Sequence, residues 1–550
     1  MAYTDFSKKL LNYLKKEKND VFTIYIYAIL SGLVNLSIPL GIQAIVSYAF
    51  GATMVTSIYI LIGFVTLGTW LVGFFQVRVM DILEKLQQKI FVEYAVAFAE
   101  KLPKLNLAKT NKYHLPELIN RFFDTQSLQK GISKFLLELP VAIIQILFGL
   151  ILLSFYHPYF IGFAILLIAS LFVLFLVTRD LGIKTSLAES DDKYEVASWL
   201  EDIARDVKTF KNSAFLETHL EETDQKLLSY VEQRTAHYKV LRFQYKTLIF
   251  FKVLITLFML LLGTYLLINQ KLNIGAFVAT EIVILMIMSA VEKLVKSLEK
   301  YYDIVTSFTK LHKVLDLPEE EQGSLPISQE AGHLLEAKEI SFGYDLDKPI
   351  INNLSVVFPQ NKISLISGKQ GSGKTLLFNL LAGFYQPDLG KIIINHHPIE
   401  NYANNELRKS IGFYMDDLEV IKGSVLQNIN LGNQNISAKE INELAENLGI
   451  TNFSSLFAEG LLTPIQAADQ RLSYTTKKLI LLLRAFVGEK KLLFLEDPLE
   501  GFNTEVRNKM LQFIKKVSVD KTIIMVGNSR DYDTIIDAKY ELSEGTLIPK

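Results

Sequence analysis

Six long apolar runs before residue 300 are the feature that most restricts how this chain can fold. Each of them approaches the roughly 20 consecutive apolar residues that a helix needs to cross a bilayer. A single run of this kind could be a core helix of a soluble domain, but six in succession favour membrane spans. The runs cover residues 21–45, 54–75, 136–156, 159–178, 247–268 and 276–291. We therefore predict an all-α transmembrane domain of six helices over residues 21–312, in contact with membrane lipid.

The composition narrows the class of protein further. Half of the residues are hydrophobic, and the part of the chain from Leu335 onward has the pattern of an ordinary soluble domain. The formal net charge of −1 offers no strongly basic surface, so we predict no nucleic-acid partner. The chain has no cysteine, which excludes disulfides, thiolate metal sites and cysteine-protease chemistry.

The connections between the spans indicate the orientation in the membrane. Three of them are short and together hold one lysine, Lys271, and no arginine, whereas residues 1–20 and the two long connections are rich in basic residues. The positive-inside rule then predicts that both termini face the cytoplasm. The run from residue 21 is too long for a signal-peptide core and has no small-residue cleavage site, so it is predicted to remain as a span. We predict a multi-pass protein of the cell (inner) membrane.

The two long connections carry apolar residues at helical spacing, which predicts helices over residues 83–99, 115–135, 194–210 and 216–238. Such helices would extend into the cytoplasm, where their tips could contact another domain. Pro158 lies in a two-residue connection and predicts a helical hairpin between the third and fourth spans. Glu281 lies in the sixth span, where a carboxylate would suggest a functional site. Its position within one or two turns of the preceding loop favours an interfacial placement instead.

Residues 368–375 fit the phosphate-binding loop pattern G-x-x-x-x-G-K-[ST] at every defined position. The loop consists of Gly368, Lys369, Gln370, Gly371, Ser372, Gly373, Lys374 and Thr375. A strand-like run precedes it and a helix-like run follows it, which favours a phosphate site over a glycine-rich turn that binds nothing. Its backbone N–H groups would surround a polyphosphate, Lys374 would neutralise charge, and Thr375 would hold Mg²⁺. We predict an α/β P-loop NTPase domain over residues 335–550, a linker over 313–334, and ATP and Mg²⁺ as cofactors.

Six spans, two long helical connections and a C-terminal phosphate-loop domain together resemble an ABC exporter half-transporter over almost the whole chain. In the second long connection, residues 206–210 resemble the segment that these exporters place at a coupling helix. Residues 117–121 and Asp124 are similar to the stretch after the tip of the first connection. The resemblance implies a dimer in which ATP binding closes the nucleotide-binding domains and switches the transmembrane helices.

The resemblance also assigns roles to residues around the phosphate loop. Tyr344 stands where the family has an aromatic residue that stacks on adenine, although a strand tyrosine could also be a core residue. Asp416 replaces the glutamine of the Q-loop and could still accept a Mg²⁺-bound water. The family signature LSGGQ is LSYTT here, over residues 472–476. Ser473 is retained and could donate to phosphate, but Tyr474 and Thr475 replace the two glycines.

The Walker B strand ends in Glu496-Asp497, the reverse of the family's Asp-Glu order. The resemblance then assigns the Mg²⁺ role to Glu496 and the general-base role to Asp497, whose side chain is one methylene shorter. A misplacement of about 1 Å can slow a reaction on the order of 100-fold. Asn503 occupies the D-loop aspartate position, and Asn528 replaces the switch histidine and can hydrogen-bond phosphate without carrying charge.

Two functions from different classes remain open from the sequence. The first is an ATP-dependent exporter half-transporter with reduced ATPase activity, and the second is an ATP-gated or structural component of a membrane secretion assembly with little turnover. Base, switch and signature positions are all altered in one chain, which favours a homodimer over a heterodimer. A periplasmic adaptor and an outer-membrane channel are possible partners for an exporter of peptides or proteins. A soluble NTPase is disfavoured by the six spans.

Overall fold

The computed structural model describes residues 15–50, 56–111, 114–212, 216–328, 332–344, 348–467 and 471–550. These residues form two compact units. The first contains the long helices, and the second contains the β-sheets together with a short segment around residues 107–110.

The N-terminal part of the chain is helical throughout its described residues. Its helices are α1 (Lys18–Phe50), α2 (Thr56–Lys101), α3 (Leu107–Thr110), α4 (Leu115–Ile119), α5 (Asp124–Tyr156), α6 (Tyr159–Arg205), α7 (Val207–Phe210), α8 (Leu216–Ile268) and α9 (Ile274–Leu315). Among these, α1, α2, α5, α6, α8 and α9 are long and apolar enough to span a membrane. Each predicted apolar run lies in a different one of them, apart from residues 54 and 55, which lie outside the described residues. The predicted fold class of six spans is therefore confirmed.

Several of these helices are much longer than a bilayer requires. Helices α2, α6 and α8 have 46, 47 and 53 residues, against the roughly 20 that cross the hydrocarbon core. The predicted helices over residues 83–99 and 216–238 are thus continuous with spans. The helix predicted over residues 194–210 is interrupted at Asp206, and the one over 115–135 contains a 3-10 turn at Asn120–Phe123.

Small residues allow α5 and α9 to pack closely. A Cβ atom at Gly131 would lie 2.8 Å from Ile304, and one at Gly149 would lie 2.7 Å from Ile287. The core between the long helices also contains side chains from α6 and α8. A glycine at these two positions therefore sets the separation of two spans, because any larger residue would push the isoleucines away.

The second unit is a layered α/β domain. Its strands are β1 (Leu335–Phe342), β2 (Ile351–Phe358), β3 (Ile363–Gly368), β4 (Leu389–Ile394), β5 (His397–Pro398), β6 (Ile411–Tyr414), β7 (Gly423–Ser424), β8 (Pro464–Ile465), β9 (Leu492–Glu496), β10 (Thr522–Val526), β11 (Ala538–Ser543) and β12 (Thr546–Pro549). Its helices are α10 (Lys374–Leu381), α11 (Asn404–Ser410), α12 (Val425–Asn430), α13 (Ala438–Asn447), α14 (Tyr474–Phe486), α15 (Thr504–Val517) and α16 (Ser529–Tyr532). The α/β class predicted for this part of the chain is confirmed.

The main sheet has the strand order β12-β11-β3-β10-β9-β6, in which every pair except β11-β12 is parallel. All five residues of β10 are buried, as expected for a parallel strand covered on both faces. A separate antiparallel sheet has the order β2-β1-β4-β5. Because β3, β6, β9 and β10 run in the same direction, the loops that follow them meet at one edge of the sheet, where ligands of such folds bind.

Candidate nucleotide-binding site

The phosphate loop connects β3 to α10 at the carboxyl edge of the main sheet. Gly371 and Gly373 adopt left-handed backbone conformations, with φ of +80° and +94°. A Cβ atom at Gly368 would lie 2.7 Å from the carbonyl oxygen of Leu542 on β11. Side chains at these positions would strain or displace the loop, so the glycines allow a tight cradle of backbone N–H groups at the start of a helix.

Two polar side chains of this loop are poised for an anionic ligand. The ammonium group of Lys374 donates to the carbonyl oxygens of Gly368 and Lys369, at 3.0 and 2.8 Å, and so lies over the loop itself. The Ser372 hydroxyl is buried and has no hydrogen-bond partner among the described residues. A buried polar group of this kind costs about 1–3 kcal/mol when it remains unpaired. The loop therefore fits a polyphosphate that would accept hydrogen bonds from both side chains.

Thr375 and Glu496 bring two oxygen ligands together beside the loop. The Thr375 hydroxyl, at the start of α10, donates to Oε1 of Glu496, at the end of β9, at 2.7 Å. Oxygen atoms of this kind suit Mg²⁺. No cluster of three or more His, Asp or Glu side chains that could hold a metal occurs in the described part of the chain. The pair thus fits a Mg²⁺ ion that takes its remaining ligands from phosphate and water.

Asp497 follows β9 in an unusual conformation for a residue with a side chain. Its φ is +40°, in the left-handed region. Its N–H group donates to Val526 at 2.8 Å, and its carbonyl oxygen accepts from Nζ of Lys478 at 2.8 Å. A Cβ atom at Gly527 would lie 2.6 Å from Oδ1 of Asp497, so the carboxylate is directed toward the end of β10. The turn therefore points the predicted base at the strand end that carries Asn528.

The surroundings of Asp497 favour the protonated form of its carboxyl group more than water would. Burial raises the pKa of this carboxyl above its ordinary value, and the nearby charges of Glu500 and Glu496 raise it further. Lys478 and Lys374 act in the opposite direction. A group that accepts a proton in catalysis works best when its pKa is closer to the operating pH, so this shift suits a general base.

Asn528 lies just beyond β10 and caps the short helix α16. Its side-chain oxygen accepts from the N–H of Arg530 at 3.4 Å, a long contact, and the side chain is exposed. Val526, two residues earlier, pairs with Glu496 in the parallel ladder. The structure thus brings Asn528 to the same sheet edge as the carboxylates.

The other predicted site residues are placed as follows. Tyr344 is 56% exposed, which argues against a core role and leaves its ring available for stacking. Asp416 lies two residues beyond β6 and accepts from the hydroxyl of Tyr474 at 2.8 Å. Ser473 caps α14 by accepting from the N–H of Thr476 at 3.1 Å. No hydrogen bond joins Ser473 to the phosphate loop within the described ranges.

Sequence reasoning missed Lys478, which is 2% exposed and lies near Asp497. Its ammonium group lies 5.5 Å from the ring centre of Tyr414 and 5.8 Å from that of Tyr474. Burial lowers the pKa of this lysine, while Glu500 and the two aspartates raise it. The available signal was a lysine directly before the apolar run of residues 479–483, a position that a helix would bury.

Two family models match the chain. Residues 21–291 match the ABC transporter transmembrane region, and residues 351–500 match the ABC transporter model. The second match includes the phosphate loop, Asp416, Ser473, Glu496 and Asp497.

Curated relatives match only part of the chain. A Rickettsia typhi protein that is named as an export ATP-binding/permease protein is 32% identical over 231 residues, which are 39% of this chain and 40% of the relative. The leukotoxin translocation ATP-binding protein LktB of Mannheimia haemolytica is 28% identical over 269 residues, which are 48% of this chain and 38% of the relative. The matches thus span less than half the length of these relatives.

A solved structure extends the likeness to nearly the whole chain. The structure of a bacterial Atm1-family ABC exporter with ATP bound aligns with a TM-score of 0.83 at 17% identity. The alignment covers 96% of this chain and 94% of that one. At this low identity the likeness shows a shared fold.

Proposed function

The chain is a multi-pass membrane protein of the ABC transporter family, and we propose that it works as an ATP-dependent exporter half-transporter in a dimer. The observation that carries the proposal is the complete phosphate loop with the Thr375–Glu496 pair beside it, on a chain that also has six spans. The loop binds the phosphates of ATP, and Tyr344 stacks on its adenine. Binding brings two nucleotide domains together and thereby switches the transmembrane helices.

Each residue at the sheet edge has a distinct task in this proposal. Lys374 leaves the carbonyl oxygens that it contacts and neutralises the terminal phosphates. Thr375 and Glu496 hold Mg²⁺, which when bound neutralises charge on the phosphate oxygens. Asp497 takes the proton of the attacking water, and Asn528 hydrogen-bonds the terminal phosphate.

Hydrolysis is slow in this proposal, for three reasons that lie in the side chains. The Asp497 side chain is short for its task, and Asn528 cannot accept a proton near neutral pH. In the dimer, Ser473 faces the nucleotide of the other chain, and the exposed Tyr474 beside it hinders the close backbone approach that glycine allows. The transporter therefore depends more on ATP binding than on rapid turnover.

We propose a homodimer because the altered groups would weaken both composite sites with any partner. The relative named for leukotoxin translocation supports a toxin as the class of cargo. For the export of a peptide or protein, we propose a periplasmic adaptor and an outer-membrane channel as partners. The low basic content of the short connections supports cytoplasmic termini in an inner membrane.

ATPase measurements on the full chain in lipid nanodiscs test the proposal. We expect slow, Mg²⁺-dependent hydrolysis that the Lys374→Ala variant lacks, and a particle mass that corresponds to two copies of the chain. Turnover no greater than that of Lys374→Ala, with ATP binding retained, would contradict the pump and support an ATP-gated component. A mass of one copy would contradict the homodimer.

A further inference from the structure

The first turn of α14 contacts both aspartates of the proposed site within the same chain. The hydroxyl of Tyr474 donates to Oδ1 of Asp416 at 2.8 Å. Nζ of Lys478 donates to the carbonyl oxygen of Asp497 at 2.8 Å. Tyr474 and Lys478 are four residues apart, so they lie on one face of the helix. One helix face thus contacts the residue at the Q-loop position and the residue at the general-base position.

Lys478 is held in a place where a lysine is costly. It is 2% exposed, and its nearest carboxylate is Glu500 at 3.8 Å, whose own side chain is 65% exposed. A buried ammonium group requires hydrogen bonds or paired charge to compensate for the loss of water. Here the compensation comes from the carbonyl oxygen of Asp497 and from the rings of Tyr414 and Tyr474.

The bond to Asp497 acts on a strained turn. A left-handed conformation is unfavourable for a residue that carries a Cβ atom, and the φ of Asp497 is +40°. Three hydrogen bonds hold the peptide groups of this residue. Its N–H donates to Val526, and its carbonyl oxygen accepts from the N–H of Glu500 at 3.2 Å and from Nζ of Lys478 at 2.8 Å. Because the bond from Lys478 restrains the peptide after Asp497, it helps to hold the backbone of this residue and hence the direction of its Cα–Cβ bond.

Tyr474 restrains Asp416 in a comparable way. Partial burial and the bond to Asp416 raise the pKa of this tyrosine to about 12, so its hydroxyl remains a donor at neutral pH. The side chain of Asp416 is exposed and would otherwise rotate freely. The tyrosine that replaces a glycine of the family signature therefore orients the aspartate that replaces the family glutamine.

We propose that Tyr474 and Lys478 are positioning residues, which align Asp416 and Asp497 of their own chain for ATP hydrolysis. The inference rests on the proposed function, because it assumes that these two aspartates act on bound ATP. It assigns to the start of α14 a task within its own chain, besides any contact with the nucleotide of a partner.

Tyr474→Phe and Lys478→Met test the inference in the full chain in nanodiscs, with Lys477→Met as the matched control. Lys477 is the adjacent residue and pairs with Glu419 at 2.6 Å, with no hydrogen bond or ion pair to either aspartate within the described residues. We expect kcat to fall about 10-fold in Lys478→Met and several-fold in Tyr474→Phe, with KM for ATP nearly unchanged, because a displacement below 1 Å has effects of this order. The control should retain wild-type kcat.

The pH profile separates positioning from a general loss of structure. The charged and titratable groups around Asp497 are Glu496, Glu500, Lys374, Lys478, Tyr474 and Tyr532. Removing the positive charge of Lys478 leaves only Lys374 to oppose Glu496 and Glu500, so the acid limb of kcat should move to higher pH. If Lys478→Met does not fold, Lys478→Gln keeps a donor without the charge and should show the same shift with a smaller loss of kcat.

A second measurement does not require turnover. Mn²⁺ binding to the ATP-loaded protein, followed by electron paramagnetic resonance, should weaken about 3-fold or more in Tyr474→Phe, because Asp416 loses the hydrogen bond that orients it toward a metal-bound water. Wild-type turnover equal to that of Lys374→Ala would contradict the proposed function, and the Mn²⁺ titration would still test the inference. Unchanged kcat, acid limb and Mn²⁺ affinity in both variants would overturn the inference alone.

Discussion

The hydroxyl of Thr375 donates to the Glu496 carboxylate at 2.7 Å, although the two residues are 121 positions apart. One side chain comes from the first turn of α10 and the other from the last position of β9. Their contact places the two proposed Mg²⁺ ligands beside the phosphate loop.

Substitution of Lys374 by alanine should weaken ATP binding about 10- to 100-fold. Hydrogen bonds to charged groups contribute about 1.5–3 kcal/mol, and 1.4 kcal/mol is a factor of ten in affinity. Titration with a fluorescent ATP analogue measures the change. Lys439→Ala, at a lysine that is 86% exposed on α13, is the control and should bind as the wild type does. Equal affinity of Lys374→Ala and wild type would contradict the phosphate role of Lys374.

Glu496→Gln should remove the Mg²⁺ dependence of ATP binding. An amide is a weaker metal ligand than a carboxylate, so affinity in Mg²⁺ should fall about tenfold, toward the value in EDTA. Isothermal titration with and without Mg²⁺ measures both values. Glu505→Gln, at a side chain that is 78% exposed on α15, serves as control. A full Mg²⁺ effect in Glu496→Gln would exclude this carboxylate as a ligand.

Restoring the family residues at the base and switch positions should accelerate hydrolysis. Asp497→Glu extends the carboxylate by one methylene, and Asn528→His supplies a side chain that can accept a proton. We expect the double variant to raise kcat about 10-fold or more, because correcting a misplacement of about 1 Å has effects up to 100-fold. Asp497→Asn should have no turnover. If the double variant hydrolyses ATP at the wild-type rate, these departures do not limit hydrolysis.

The pH dependence of hydrolysis should reflect the raised pKa of Asp497. The base acts when deprotonated, so kcat is lost as pH falls through this pKa, and the acid limb should lie above the ordinary aspartate value of about 3.9. Glu500→Gln removes one neighbouring negative charge that raises the pKa, so its acid limb should move to lower pH. Steady-state rates between about pH 4 and pH 8 give the acid limb of the wild type and that of Glu500→Gln. An unmoved limb would show that another group controls the profile.

Tyr344→Ala should weaken ATP binding, whereas the exposed control Lys439→Ala should not. Tyr344→Phe keeps the aromatic ring and should bind ATP as the wild type does. Stacking of a base on an aromatic ring contributes about 1–3 kcal/mol, which corresponds to a loss of about 5- to 150-fold. Competition titrations against the fluorescent analogue compare the variants. Wild-type affinity in Tyr344→Ala would contradict the stacking role.

The sequence by itself determined the class of each part of the chain. Six runs of apolar residues predict spans, because the bilayer leaves few other structures for such segments. The phosphate loop could be recognised because its chemistry depends on a short, continuous pattern of glycines, lysine and threonine. Both are local properties, and the six spans and the α/β domain of the structure agree with them.

Only the tertiary structure decided how distant residues meet. The strand order brings β6, β9, β10 and β3 side by side, so that Asp416, Glu496, Asn528 and the phosphate loop share one edge. The left-handed turn of Asp497 and the buried Lys478 that holds it depend on packing between α14 and this sheet edge. The tertiary structure also decided where helices continue. Helices α2 and α8 extend unbroken from their spans, whereas α6 ends at Arg205, just before Asp206. Such features arise from register and long-range contact, for which residue spacing along the chain carries no direct signal.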